Sequence, residues 1–133
     1  MKTISGGVTA PKGFRASGVY CGVKNGHGDA PQTVLPSAKG KNDLAMILSD
    51  CECAAAAVYT LNRVKAAPLY VTMDHLEDGV CRGIVANSGN ANACAPMSHE
   101  YAEKMCELAA AATGLRAADF AVASTGVIGQ TLN

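Results

Sequence analysis

The sequence contains no tryptophan, and aromatic residues make up only 5% of its 133 residues. A ligand pocket walled by aromatic rings is therefore not expected. Although 49% of the residues are hydrophobic, many of them are alanine, and this composition favours closely packed layers of helix and sheet. The length is that of one domain, or of part of a larger one.

Charge of neither sign is in excess, because 11 Lys and Arg residues balance 11 Asp and Glu residues. The sequence has no basic stripe, so nucleic acid is not an expected partner. No apolar run approaches the ~18 residues that a membrane-spanning helix needs. The first residues also lack the apolar stretch of a secretory signal. These absences predict a cytoplasmic protein that does not enter a membrane.

None of the six cysteines forms a Cys-x-x-Cys pair. Without an export signal, we expect reduced thiols that are mostly buried. The six residues are Cys21, Cys51, Cys53, Cys81, Cys94 and Cys106.

Metal ligands occur in two short stretches, His27-Gly-Asp29 and Cys51-Glu-Cys53. A zinc site needs three or four ligands that converge on one point, and neither stretch has the usual spacing, so we expect no metal. A cysteine nucleophile would need a base and an orienting group. His75 and His99 lie in polar segments that we expect to be exposed, and neither is tied to a cysteine. The Gly26-x-Gly28 pattern lacks the third glycine of a dinucleotide-binding fingerprint.

The order of the segments predicts a layered α/β architecture. The clearest helix spans Ser98 to Gly114, with Ser98 as its N-cap and Gly114 as its C-terminal stop. Segment 52–62 is ambiguous: its alanines favour helix, but its short length and the β-branched and aromatic residues near its end favour a strand. The other predicted elements are strands and turns over 6–24, a loop at 25–31, strands at Asp43–Ser49, Val80–Ala86 and Phe120–Ala123, and a short helix within 68–77.

Two polar motifs follow predicted strand ends. Asn87-Ser-Gly-Asn-Ala-Asn92 places three asparagines within six residues, and Ser124-Thr-Gly126 follows a short apolar run. Either motif can be a hydrogen-bonded turn that supports its neighbours, since these residue types suit turns. The amides of the first can instead bind a polar substrate, and the second can present N–H groups and a hydroxyl as an oxyanion hole. The residues alone leave both alternatives open.

In combination, the two motifs resemble those of the arginine-biosynthesis ornithine acetyltransferases, also called glutamate N-acetyltransferases. The similarity is carried by Val85–Cys94 and Ala123–Gly129, in that order along the chain. Three earlier segments agree with it: Gly6–Phe14, Lys41–Ala45 and Thr60–Pro68. The resemblance therefore extends from near residue 6 to the end of the sequence.

The resemblance implies a fold and a chemistry. The fold is a layered α/β arrangement in the style of the self-cleaving N-terminal-nucleophile hydrolases. Members of the family cut themselves before an internal threonine, which becomes the first residue and the nucleophile of a β chain. This threonine takes an acetyl group from N-acetylornithine and passes it to glutamate, and some members also use acetyl-CoA as donor. No cofactor is implied, and the expected assembly is a heterotetramer of two α and two β chains.

The same resemblance assigns the oxyanion hole to Thr125 and Gly126. The family's cleavage junction, an apolar residue followed by Thr-Thr-Asp, does not occur here, because no threonine in the sequence is followed by Thr or Asp. Residues 1–133 are therefore expected to be the N-terminal part of an α chain, inactive without the β chain. The residues that bind the amino-acid substrate are not identified.

Two other functions stay open at this point. One is a non-catalytic folding or binding module that keeps the family fold without its chemistry. The other is an amidase or aminopeptidase of a related self-cleaving fold.

Overall fold

The computed structural model describes residues 3–25 and 41–132, and it contains a four-stranded sheet with helices packed against it. The predicted layered α/β class is therefore confirmed. No helix within the described ranges is long and apolar enough to cross a membrane. The elements are β1 (Phe14–Val19), β2 (Leu44–Ala54), α1 (Ala67–His75), β3 (Val80–Asn90), α2 (Ser98–Thr113) and β4 (Phe120–Val127), with short 3-10 turns at Gly7–Thr9, Val23–Asn25 and Ala117–Asp119.

The strands lie in the order β1-β2-β3-β4. The first three strands pair in antiparallel fashion, whereas β3 and β4 are parallel and are joined through α2. A parallel pair needs such a crossover, because the chain must return to the end of the sheet at which the first strand began. The crossover places the carboxyl ends of β3 and β4 side by side. The two polar motifs are thereby brought together, with Asn87 opposite Ser124.

The core lies between one face of the sheet and the two helices. Its largest side chain is Phe120, which has 0% of its surface exposed. Small side chains of α2 face the sheet, among them those of Ala102 and Ala109. Gly83 of β3 leaves room for the aromatic ring, because a β-carbon there would lie 2.6 Å from Cδ1 of Phe120. The ring and the bare strand backbone are therefore complementary in shape.

Helix α1 protects the edge of the sheet at β4. The Thr72 hydroxyl donates to the Val122 carbonyl and accepts from the Val122 N–H, each at 2.9 Å. An edge strand otherwise leaves such groups unpaired. His75 Nδ1 lies 2.8 Å from the Phe120 carbonyl oxygen, and His75 Nε2 lies 3.3 Å from the Glu103 carboxylate of α2. The expectation that His75 is exposed is therefore wrong: it joins both helices to β4.

The opposite face of the sheet is apolar and open. Side chains alternate between the two faces of a strand, so the neighbours of the core residues point to this face. Ile47 pairs with Ile84, and Ile84 pairs with Ala121. These three residues line a cavity of about 460 Å³, and Ile84 keeps 41% of its surface exposed. The face has the composition of a surface that another layer covers.

Two predicted strands have different boundaries in the structure. The prediction of a strand over 52–62 is wrong beyond Ala54, where β2 ends. Ala54 pairs with Val80, the first residue of β3, so the chain beyond Ala54 has no partner strand on that side. The strand predicted at Val80–Ala86 continues to Asn90, because β4 runs beside it and supplies hydrogen bonds.

The helix boundaries partly follow the prediction. Helix α2 begins at Ser98, and Gly114 ends it with a left-handed φ of 74°. The N-cap residue is Met97 rather than Ser98, because the Ser98 hydroxyl donates to a carbonyl of the preceding turn at 2.7 Å. Helix α1 begins earlier than expected, at Ala67, with Pro68 in its first turn. Proline is tolerated there, since the first N–H groups of a helix have no partner within it.

The expectation that the cysteines are mostly buried is wrong. All six lie within the described residues and none is in a disulfide, but only Cys106 is buried. Burial raises the pKa of the Cys106 thiol to about 12, so this thiol stays protonated. The exposed thiols are those of Cys21, Cys51 and Cys94.

Asp43 ties the segment after β1 to the start of β2. This residue is 2% exposed, and its carboxylate accepts backbone N–H groups from Cys21 at 2.7 Å, Gly22 at 3.1 Å and Lys24 at 3.2 Å. Burial by itself raises the pKa of the carboxyl, but the N–H donors outweigh burial and hold the pKa below its ordinary value of 3.8. The charged form of Asp43 therefore stabilises the fold.

We predict that Asp43→Asn lowers the free energy of unfolding at neutral pH by about 1–3 kcal/mol, because the NH2 group that replaces one carboxylate oxygen cannot accept the backbone N–H groups. A lowered folded-state pKa contributes stability above the ordinary value of 3.8, and this contribution is lost as the pH falls through the folded-state pKa. In urea unfolding, the gap between wild type and variant should therefore be full above about pH 5 and shrink below about pH 4. A gap that does not change with pH would contradict this role.

A second prediction concerns the contact between Gly83 and Phe120. Gly83→Ala should destabilise the chain by about 1–3 kcal/mol, because the added methyl group overlaps the aromatic ring. Gly18→Ala is the matched control, since Gly18 also lies in a strand and a β-carbon there would meet nothing closer than 3.4 Å. Urea unfolding of both variants measures the difference. Equal losses of stability would show that the core tolerates a methyl group beside the Phe120 ring.

Candidate active site

The Ser124–Gly126 motif lies within β4 rather than in a turn after it. The prediction of a turn is wrong because β3 continues alongside, with Gly89 opposite Gly126. The pairing register shifts at Gly89 and Asn90. The motif is therefore presented by an irregular strand end at the edge of the sheet.

Two glycines allow the backbones of β3 and β4 to approach closely at this end. Gly126 has a φ of +138° and Gly89 a φ of +122°, and such angles are essentially restricted to glycine. A β-carbon on Gly126 would lie 2.5 Å from the Asn90 nitrogen. A β-carbon on Gly89 would lie 2.9 Å from Cα of Lys24, in the segment that Asp43 holds. Three backbone segments thus stack without side chains between them.

The asparagine motif supports this end of the sheet through hydrogen bonds. Asn87 Nδ2 donates to the Asn90 carbonyl at 2.9 Å, and Asn90 Nδ2 donates to the Gln130 carbonyl at 3.1 Å. Asn90 Oδ1 accepts the Asn92 N–H at 2.7 Å, and Asn92 Nδ2 donates to the Ser98 carbonyl at 2.8 Å. These side-chain amide donors bind the protein's own backbone. The motif therefore joins the end of β3 to the segment after β4 and to the start of α2.

A cavity of about 480 Å³ opens beside Thr125 and Gly126, and both residues are exposed. Part of its lining comes from segment 62–66, which precedes α1. Lys65 is the single charged residue among the described residues that line it. The other lining residues are Asn62, Val64, Ala66, Ala91, Ala93, Cys94, Ser124 and Ile128.

Two polar groups of this lining have no polar partner within the described ranges. The buried Ser124 hydroxyl makes no hydrogen bond. The Lys65 ammonium lies 5.6 Å from the centre of the Tyr70 ring and forms no ion pair. Lys65 therefore stays available to a polar ligand in the cavity, whereas the Ser124 hydroxyl is shielded from solvent. The sequence did not predict that segment 62–66 lines the cavity. Nothing in its residue types or spacing indicates that it lies near Thr125 in the fold.

The arrangement suits the stabilisation of an anion and not nucleophilic attack. The described lining contains neither a histidine nor a carboxylate that could act as a base on Thr125. His99 lies 3.8 Å from the Glu103 carboxylate of α2, which His75 also contacts. Neither histidine lines the cavity. Across the described ranges, no group of three or more metal-ligating side chains converges. The candidate ligands of the stretch 27–29 lie outside the described residues.

The glycine contact generates a prediction with a control in the same motif. Gly126→Ala should destabilise the chain by about 1–3 kcal/mol more than Gly129→Ala, because the two share a positive φ but only Gly126 faces a crowded backbone. Around Gly129, with a φ of +80°, a β-carbon meets nothing within 4 Å. Urea unfolding midpoints test this difference. Equal losses would mean that backbone strain alone, without close packing, explains both.

Comparison with known proteins identifies a family and several relatives. Residues 17–133 match the sequence model of the ArgJ family. The arginine biosynthesis bifunctional protein ArgJ of Symbiobacterium thermophilum is 47% identical over an alignment of 133 residues that covers 99% of this chain and 30% of that protein. The protein of the same name from Bacillus anthracis is 43% identical over 133 residues, covering 98% of this chain and 29% of its own length. The chain thus spans slightly less than a third of these relatives.

Two solved structures share the fold. The crystal structure of arginine biosynthesis bifunctional protein ArgJ from Bacillus halodurans aligns with a TM-score of 0.81 at 37% identity, covering 96% of this chain and 60% of that one. The ornithine acetyltransferase of Mycobacterium tuberculosis, solved in complex with ornithine, aligns with a TM-score of 0.79 at 41% identity, covering 94% and 62% of the two chains. The family match and these alignments lead to one conclusion: the chain belongs to the ArgJ family.

Proposed function

We propose that this chain supplies the oxyanion hole of a glutamate N-acetyltransferase, which moves an acetyl group from N-acetylornithine to glutamate in arginine biosynthesis. The observation that carries the proposal is the cavity beside Thr125 and Gly126, formed where two glycines bring strand backbones together. The motif beside it is one of the two that together carry the family resemblance. The relatives, an arginine biosynthesis bifunctional protein and an ornithine acetyltransferase, agree with this proposal.

The chemistry requires donors at this position. Attack on the acetamide carbonyl of N-acetylornithine places negative charge on its oxygen, and fixed hydrogen-bond donors lower the energy of that charge. The Thr125 hydroxyl and the Gly126 N–H are the donors in this proposal. β4 lies at the edge of the sheet, so alternate N–H groups of its backbone point away from β3. The tight glycine contact keeps these donors from moving as charge develops.

The nucleophile in this proposal is an N-terminal threonine of a β chain. Its hydroxyl attacks the acetyl carbonyl, ornithine leaves, and the acetyl group stays on the threonine oxygen as an ester. The amine of glutamate then attacks this ester and releases N-acetylglutamate. The threonine's own amine can serve as base, directly or through water, which explains why no histidine is needed beside Thr125.

The proposal also accounts for the open surfaces of the chain. The apolar sheet face formed by Ile47, Ile84 and Ala121 suits a further layer of a sandwich, which the rest of the enzyme would provide. We propose an assembly of two α and two β chains on the family resemblance. The free thiols fit a reducing compartment such as the cytoplasm. Acetyl-CoA is a candidate second donor.

The test uses a completed enzyme, defined as this chain joined to the part of the Symbiobacterium thermophilum relative that lies beyond the matched segment. We expect it to cut itself before a threonine and to transfer acetyl from N-acetylornithine to glutamate, with the intact relative assayed in parallel. Replacing N-acetylornithine with acetyl-CoA tests the second donor. A folded, cut enzyme that hydrolyses peptide amides but never acetylates glutamate would instead support the amidase alternative.

In the completed enzyme, Thr125→Ala should lower kcat by roughly 10²–10³-fold with little change in thermal stability, because one oxyanion donor is lost. Thr125→Ser keeps a hydroxyl and should recover most of the rate. Thr131→Ala, at an exposed threonine, is the matched control and should leave kcat unchanged. Full activity of Thr125→Ala would remove Thr125 from the oxyanion hole.

A further inference from the structure

The segment between β2 and α1 exposes apolar side chains to an unusual degree. We call residues 55–66 the connecting arm. Val58 is 99% exposed, Leu61 97% and Val64 68%. Single exposed apolar residues are ordinary on protein surfaces, but three in a segment of twelve residues are a concentration that favours an interaction site.

The arm has a defined local shape without help from those side chains. The Asn62 N–H donates to the Thr60 hydroxyl at 3.2 Å, and the Val64 N–H donates to Asn62 Oδ1 at 3.0 Å. Such side-chain-to-backbone bonds hold turns. The apolar side chains therefore project from a backbone that is already arranged, which lowers the entropy that a partner's binding would cost.

The arm is also part of the site. Asn62, Val64 and Lys65 line the cavity beside Thr125 and Gly126. Directly after the arm, the N–H of Ala67, the first residue of α1, donates to the Asn92 carbonyl at 3.3 Å, so the arm leads into a residue that binds the asparagine motif. The arm therefore borders the space that a group reacting beside Thr125 would occupy.

We infer that the connecting arm is the docking surface for the nucleophile-bearing part of the enzyme, and that Leu61 and Val58 are its apolar contacts. This inference rests on the proposed function. The chain spans only 30% of the Symbiobacterium thermophilum relative, so most of that enzyme's surface lies outside the matched segment. The segment that delivers the threonine to Thr125 is the portion placed to cover the arm. Because the arm's charged side chains, Arg63 and Lys65, are both positive, the surface that meets it should be apolar with acidic residues at its rim.

A photocrosslinker tests this placement directly. A benzophenone amino acid is placed at Leu61 of the completed enzyme and, as the matched control, at Leu108, which is 60% exposed on α2. We expect light to join position 61 to sequence beyond this chain, within the portion that carries the threonine, and position 108 to give no such product. Mass spectrometry of the crosslinked peptide identifies the contact whether or not the enzyme cuts itself.

Three results would overturn the inference: crosslinks from position 61 only to residues of this chain, crosslinks to the same segment of a second copy, or no crosslink in an enzyme that transfers acetyl groups. Leu61→Ser gives an independent measurement. It should lower the urea concentration at which the two portions separate, whereas Leu108→Ser should not. Acetyl transfer by the unsubstituted completed enzyme reports on the proposed function separately, so an active enzyme without the crosslink refutes the docking surface alone.

Discussion

The structure of the site depends on one close backbone contact, between Gly89 of β3 and Gly126 of β4. Neither position tolerates a β-carbon, because each would overlap the neighbouring backbone. The segment at Lys24 packs against Gly89, and the Lys24 N–H donates to the buried Asp43 carboxylate. The side-chain amide of Asn90 also supports the contact, because it donates to the Gln130 carbonyl in the segment after β4. A rigid donor array requires such support, because donors that can move away lose their effect on a developing charge.

The exposed side of the site carries few charged groups. Thr125 and Gly126 face a cavity in which Lys65 is the single charged residue among those described. Under the proposed function, such a site stabilises the anion, holds no base, and so contributes half of an acyl-transfer reaction. The connecting arm beside the cavity and the apolar sheet face at Ile84 are the surfaces on which the other half can be assembled. The proposed function thus gives one explanation for the missing base and for the exposed apolar residues.

The sequence predicted some parts of this structure and not others, for physical reasons. Helix α2 was predictable, since its spacing and Gly114 are local signals. The end of β2 and the extension of β3 were not, because each depends on whether a partner strand is present. Local sequence also favoured a turn at Ser124–Gly126, and only the parallel pairing with β3 overrides it. The assignment of Thr125 stays a prediction from family resemblance, whereas the closeness of segment 62–66 to it became visible only in the fold.

The central claim is that Thr125 and Gly126 bind the oxygen on which negative charge develops. The most direct measurement is a crystal structure of the completed enzyme with a tetrahedral phosphonate analogue of the acetyl group on the nucleophilic threonine. The account predicts a phosphonate oxygen at about 2.7–3.1 Å from both the Thr125 hydroxyl and the Gly126 nitrogen. An analogue whose oxygens are bound by other residues, with the cavity beside Thr125 left empty, would contradict it.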